Sequence, residues 1–147
     1  MMSRAQILFL HLATVLVTVT GGVFAWFKYF VESSDPFAVV NHPLQPTALS
    51  AHVLVSPLAV FAFGWIASNH IFPGVANRYA PKRASGLWSL AMIVPMVVSG
   101  YLIQVSTGET ARRAMEIAHW ISSGLFVVAY IVHLLGGRPP RTPRPQD

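Results

Sequence analysis

The sequence predicts an all-α integral membrane protein, a four-helix bundle with both termini in the cytoplasm. Three observations carry that expectation. Charged residues make up only 10% of the 147-residue chain while hydrophobic ones make up 54%, whereas a water-soluble domain carries about a quarter charged residues. Charge-free intervals recur along the chain, each able to supply the ~20 apolar residues that cross a bilayer. Basic residues cluster on alternate connections between those intervals, which orients the bundle.

The first interval, Ala5 to Phe27, lies between Arg4 and Lys28. It is too long for a signal-peptide core. It also ends in Trp26, Phe27, Lys28 and Tyr29, an interfacial anchor and not a small-residue cleavage site. The second runs from Pro36 to Asn77, with its apolar part near Thr47 to Phe72. The third is Ala84 to Gly108 and the fourth Ile117 to Gly137. Backbone groups in lipid must bond one another, so each interval is a helix. Spans are expected at about 5–29, 47–72, 84–106 and 112–137, forming one transmembrane domain over 1–137. Pro57 and Pro95 should kink the second and third without breaking them. The loop ESSDPFAVVNHPLQP has room for a short interfacial helix. The tail 138–147, rich in Pro and Arg, is expected to be a disordered cytoplasmic extension. No internal repeat or Gly-rich phosphate loop is evident.

Seven basic residues fall on one side: Arg4, then Arg78, Lys82 and Arg83, then Arg138, Arg141 and Arg144. Lys28, Arg112 and Arg113 fall on the other, offset by Glu32, Asp35, Glu109 and Glu116. The positive-inside rule makes the first side cytoplasmic, and the expected home is a bacterial inner membrane. The net charge of +5 is thereby explained by topology, and no nucleic-acid partner is implied. Cysteine is absent, which excludes disulfides, thiolate metal sites and covalent haem attachment by this chain.

Six histidines remain to be placed. With this topology His52 and His119 lie toward the outer surface, His11, His133 and His70 toward the inner one, and His42 in the outer loop. His119 and His133 are fourteen residues apart, about 21 Å along a helix and close to four whole turns. They face one side of the fourth span at two depths, as two stacked sites in a bundle require. Each level then has a histidine on another span, His52 outside and His11 inside. Haem fits best, because two imidazoles on facing helices ligate one iron above and below an apolar ring. Zinc or copper wants three or four converging ligands, and the spans hold no carboxylate to complete a shell. Gly21 and Gly22 near the outer level, and Gly64 near the inner one, leave room for a flat macrocycle; the same small residues also serve plain helix packing. His52 and His70 are eighteen apart, five turns of an ideal helix, so His70 is an alternative partner for His133 or a quinone-site residue. Met92 and Met96 read as packing, His42 as a loop residue, and Tyr101 and Gln104 as belt residues or quinone hydrogen-bonders.

Four spans with a histidine low on the first, one high on the second and two fourteen apart on the fourth resemble the bacterial di-haem cytochrome b superfamily. Its members include the membrane cytochrome subunits of formate dehydrogenases and nickel–iron hydrogenases. The resemblance covers roughly Gln6 to Gly137. It implies haem b, two groups expected, with His52 and His119 on the outer iron and His11 and His133 on the inner. It also implies a larger membrane or periplasmic redox partner and exchange with quinone. The additional His70 and His42 depart from that pattern, and HPLQPTALSAHVLVSPLAVFAFGWIASNH is similar to a family of small bacterial membrane proteins. A non-redox accessory subunit is the alternative function. A transporter fits less well, for want of a buried carboxylate.

Overall fold

The computed structural model describes residues 2–136, so the expectation for the tail 138–147 lies outside the described residues. All regular structure among the described residues is helical. Four long apolar segments, Arg4–Tyr29, Gln45–Ala76, Arg83–Val105 and Glu109–Leu135, are each long enough to cross a membrane. The chain divides into two compact units, Met1–His70 and Ile71–Asp147.

The first unit is an antiparallel hairpin of α1 (Arg4–Tyr29) and α2 (Gln45–Ile66). A capping box starts α1. The Ser3 hydroxyl accepts from the Gln6 amide (3.2 Å), and the Gln6 side-chain oxygen accepts from Ser3 N–H (2.9 Å). Gln6 also donates across the hairpin to the Trp65 carbonyl (3.1 Å) and accepts from the Asn69 amide (2.9 Å). Small residues dominate the buried seam: Ala13, Ala25, Ala59 and Ala62, with Leu10 and Ile66. They allow close backbone approach, which is what dispersion rewards when lipid removes the hydrophobic drive for association. Large apolar side chains point outward instead, as with Leu54, 76% exposed, and Leu8, 61%.

The loop 30–44 forms turns and bends but no helix. Pro43 lacks an amide donor and pushes His42 away from helical geometry, while Pro46 takes the first turn of α2, where no intrahelical donor is needed. Side chains bond the chain instead. Asp35 accepts from Phe37 N–H (2.9 Å), Asn41 donates to the Lys28 carbonyl (2.8 Å), and His42 Nδ1 accepts from Leu44 N–H (3.1 Å). His42 also stacks on Phe27, with centroids 4.1 Å apart and planes 3° from parallel. It is the loop residue the sequence suggested.

Helix α2 runs unbroken through Pro57. It then widens into a π segment, Ala67–Ile71, before the short α3 (Phe72–Ala76). Pro73 explains the widening. It cannot donate to the Asn69 carbonyl and its ring would crowd that oxygen in a regular α turn. His70 sits inside this segment, so the five-turn arithmetic linking it to His52 does not hold along the real backbone.

The second unit pairs α4 (Arg83–Val105) with α5 (Glu109–Leu135), again antiparallel. Helix α4 continues through Pro95. Lys82, at its N-cap with φ 60°, sends its ammonium to the Leu134 carbonyl at the end of α5 (2.9 Å). Arg83 donates to the Val75 carbonyl of α3 (3.1 Å). Both cations neutralise the carbonyl-rich ends of helices. Helix α5 starts at Glu109, ahead of the expected 112, so Arg112 and Glu116 pair one turn apart at 3.7 Å.

Candidate functional site

Three of the histidines are held in the same way. In the first unit His52 of α2 lies half-buried against α1. Its Nδ1 is 3.1 Å from the Val17 carbonyl and 3.3 Å from the Thr20 hydroxyl. In the second unit His119 of α5 places Nδ1 2.8 Å from the Met96 carbonyl and 3.4 Å from the Ser99 hydroxyl. Lower on α5, His133 Nδ1 is 3.1 Å from the Ser85 hydroxyl.

The partners decide the tautomer. A carbonyl oxygen only accepts, so Nδ1 of His52 and of His119 carries the proton. The hydroxyls of those two sites agree, because each donates its own proton to its own helix: Thr20 to Leu16 O (2.8 Å) and Ser99 to Pro95 O (2.6 Å). Thr20 and Ser99 are left to accept from imidazole, so the network assigns Nδ1–H to His52 and His119. Ser85 lies 3.0 Å from Lys82 O and 3.1 Å from His133 Nδ1, the same placement without the carbonyl at the ring. A neutral imidazole protonated at Nδ1 carries its lone pair on Nε2, the electronic form of a metal-ligating histidine.

Each ring also rests on a glycine. A Cβ added at Gly21 would lie 2.9 Å from His52 Cε1; at Gly100, 3.1 Å from His119 Cε1; at Gly86, 3.2 Å from His133 Cε1. Gly21 therefore stands at the level of His52, as its position in the first span suggested, but it seats the imidazole itself. A Cβ at Gly22, Gly64 or Gly124 would meet nothing within 4 Å among the described residues.

Thr20, Ser85, Gly86, Ser99 and Gly100 are functional candidates that reading the sequence for histidines misses. A signal was present. Ser85-Gly86 and Ser99-Gly100 are fourteen residues apart on α4, matching His119 and His133 on α5. The dipeptide alone does not identify them, since Thr107-Gly108 and Ser123-Gly124 seat nothing. The antiparallel register of the two helices selects the pairs that meet.

His52 and His119 also occupy equivalent places. Each lies in the first half of the second long helix of its hairpin, seated on a hydroxyl–glycine pair late in the first helix. The Gly-to-His separations differ, 31 residues from Gly21 and 19 from Gly100, because the connecting loops differ in length, so no sequence repeat appears. The correspondence ends at the second level. Fourteen residues before Thr20 stands Gln6, and fourteen after His52 stands Ile66. There the first unit holds the Gln6–Asn69–Trp65 hydrogen-bond network in place of a seated histidine. His11 is half-buried on α1 and His70 exposed in the π segment.

No cluster of three or more His, Cys, Asp or Glu gathers among the described residues. No family, curated protein or solved structure matches the chain.

Proposed function

We propose that this protein is a b-type cytochrome that carries electrons across a membrane through bis-histidine haems. His52 with His119 forms the outer ligand pair, and His133 with His11 or His70 the inner. The observation that carries the reading is the common treatment of three imidazoles on apolar helices, each pinned at Nδ1 by the neighbouring helix. Outer-shell bonds of this kind fix ring orientation and raise ligand basicity at metal sites. The equivalent positions of His52 and His119 in their hairpins favour pairing those two. Ionisable side chains in spans of this apolarity are costly unless they serve a function.

When bound, haem supplies one-electron exchange at iron, and its potential follows axial-ligand basicity and burial. The protein's part is to present Nε2 lone pairs in a fixed direction and to surround the site with apolar side chains. With two histidines holding each iron, the site would favour electron transfer over oxygen chemistry. The helix order and basic loops support a bacterial inner-membrane location with both termini cytoplasmic. A larger membrane or periplasmic redox complex and the quinone pool are the proposed exchange partners.

Purified protein from a haem-replete host should show Soret and α bands that sharpen on dithionite reduction. A pyridine haemochrome assay should count about two haems per chain if both levels are filled, since each iron consumes two axial imidazoles. A colourless preparation removes the proposal.

A further inference from the structure

The hydroxyl–glycine contacts have a shared architecture that goes beyond which histidines ligate. We propose that Val17–Gly21, Met96–Gly100 and Lys82–Gly86 are three copies of one imidazole seat, in which Thr20, Ser99 and Ser85 are positioning residues. They hold His52, His119 and His133 in the Nδ1–H tautomer before any cofactor arrives. The segments read VTVTG, MVVSG and KRASG.

The parts follow from helix geometry. A helical side chain lies over the turn that precedes its own Cα. The residue at the fifth position of the seat therefore covers the carbonyl at the first. Glycine there uncovers that oxygen and gives the ring a surface to lie on. In two seats the uncovered carbonyl takes the imidazole proton, at Val17 and Met96. In the third, the Ser85 oxygen stands between the corresponding Lys82 carbonyl (3.0 Å) and His133 Nδ1 (3.1 Å), and the seat has it donate to the carbonyl and accept from the ring. The hydroxyl at the fourth position has its own proton committed to its own helix at Thr20 and Ser99, and the seat extends this to Ser85. It can then only accept from the ring, which excludes the opposite tautomer. A seat thus determines ring plane, ring position and the nitrogen that keeps its lone pair.

The test uses full-length protein labelled with 15N-histidine, prepared free of cofactor in lipid bilayers, with nitrogen shifts reporting each ring's protonation. His52, His119 and His133 should be Nδ1–H. Ser85→Ala should release His133 into a mixture of tautomers. Ser85→Thr should hold it, as Thr20 holds His52. A parent protein with His133 protonated at Nε2, or a His133 tautomer indifferent to Ser85→Ala, overturns the seat. A second arm, which rests on the cytochrome reading, titrates the same proteins with hemin. Ser85→Ala should weaken one hemin site by roughly 10–100-fold, the usual effect of losing an outer-shell partner, and Ser85→Thr should restore it. A parent that takes up no hemin sinks the cytochrome reading alone, because the tautomer measurement still decides the seat.

Discussion

Adjacent glycines on α1 should respond to alanine very differently: a clear loss of stability at Gly21 and almost none at Gly22. At Gly21 the new methyl would lie 2.9 Å from His52 Cε1 and 3.0 Å from Nδ1. Ordinary contact lies near 3.5–4.0 Å between carbon atoms, so ring or helix must move by about half an ångström or more. The neighbour is a ring held by the Val17 carbonyl at 3.1 Å and the Thr20 hydroxyl at 3.3 Å, so moving it stretches both bonds. Overpacking a tight site costs about 1–3 kcal/mol, and a weakened hydrogen bond adds about 1 kcal/mol. Gly21→Ala should therefore destabilise the first hairpin by about 2–4 kcal/mol. At Gly22 the methyl meets nothing within 4 Å. The helical gain that alanine brings in water, roughly 0.5–1 kcal/mol, is smaller here because a separated span in lipid stays helical. Gly22→Ala should thus lie within about 0.5 kcal/mol of the parent, as a substitution that touches no specific feature does. Reversible unfolding in mixed detergent micelles measures both, and 15N shifts of His52 report the ring directly. Equal stabilities for the two variants, or an undisturbed His52 in Gly21→Ala, would refute the reasoning.

Gln6→Ala removes the side-chain half of the Ser3 capping box and the bonds to Trp65 and Asn69; at about 1 kcal/mol per bond it should cost about 2–3 kcal/mol in the same unfolding assay. Pro73→Ala restores the amide that the Asn69 carbonyl lacks, so the π segment should tighten to α; cysteine-accessibility scanning after Ala67 should show the helical pattern change phase. Arg112→Ala breaks a 3.7 Å pair whose arginine is 58% exposed. It should cost no more than about 0.5 kcal/mol, and a larger loss would show that Arg112 has another role.

The spans, their order and both proline-containing helices were legible in the sequence. Lipid imposes one rule on every crossing segment: about twenty apolar residues with all backbone bonds made internally. That rule acts on each segment separately, so composition reveals it without knowledge of neighbours. The fourteen-residue spacing of His119 and His133 was legible for the same reason, since both lie on one uninterrupted helix, α5. His70 was not, because Pro73 widens the backbone around it and phase counted in whole α turns fails across a π segment. The seats were not legible either. Gly21 and Gly22 are equivalent as letters, yet one supports an imidazole and the other faces open space. Ser85 meets His133 only because α4 and α5 run antiparallel in one register, and that register is the joint result of packing along the whole pair. What lipid demands of one helix is written in its own residues; which hydroxyl meets which histidine belongs to two helices at once, and only their packing decided it.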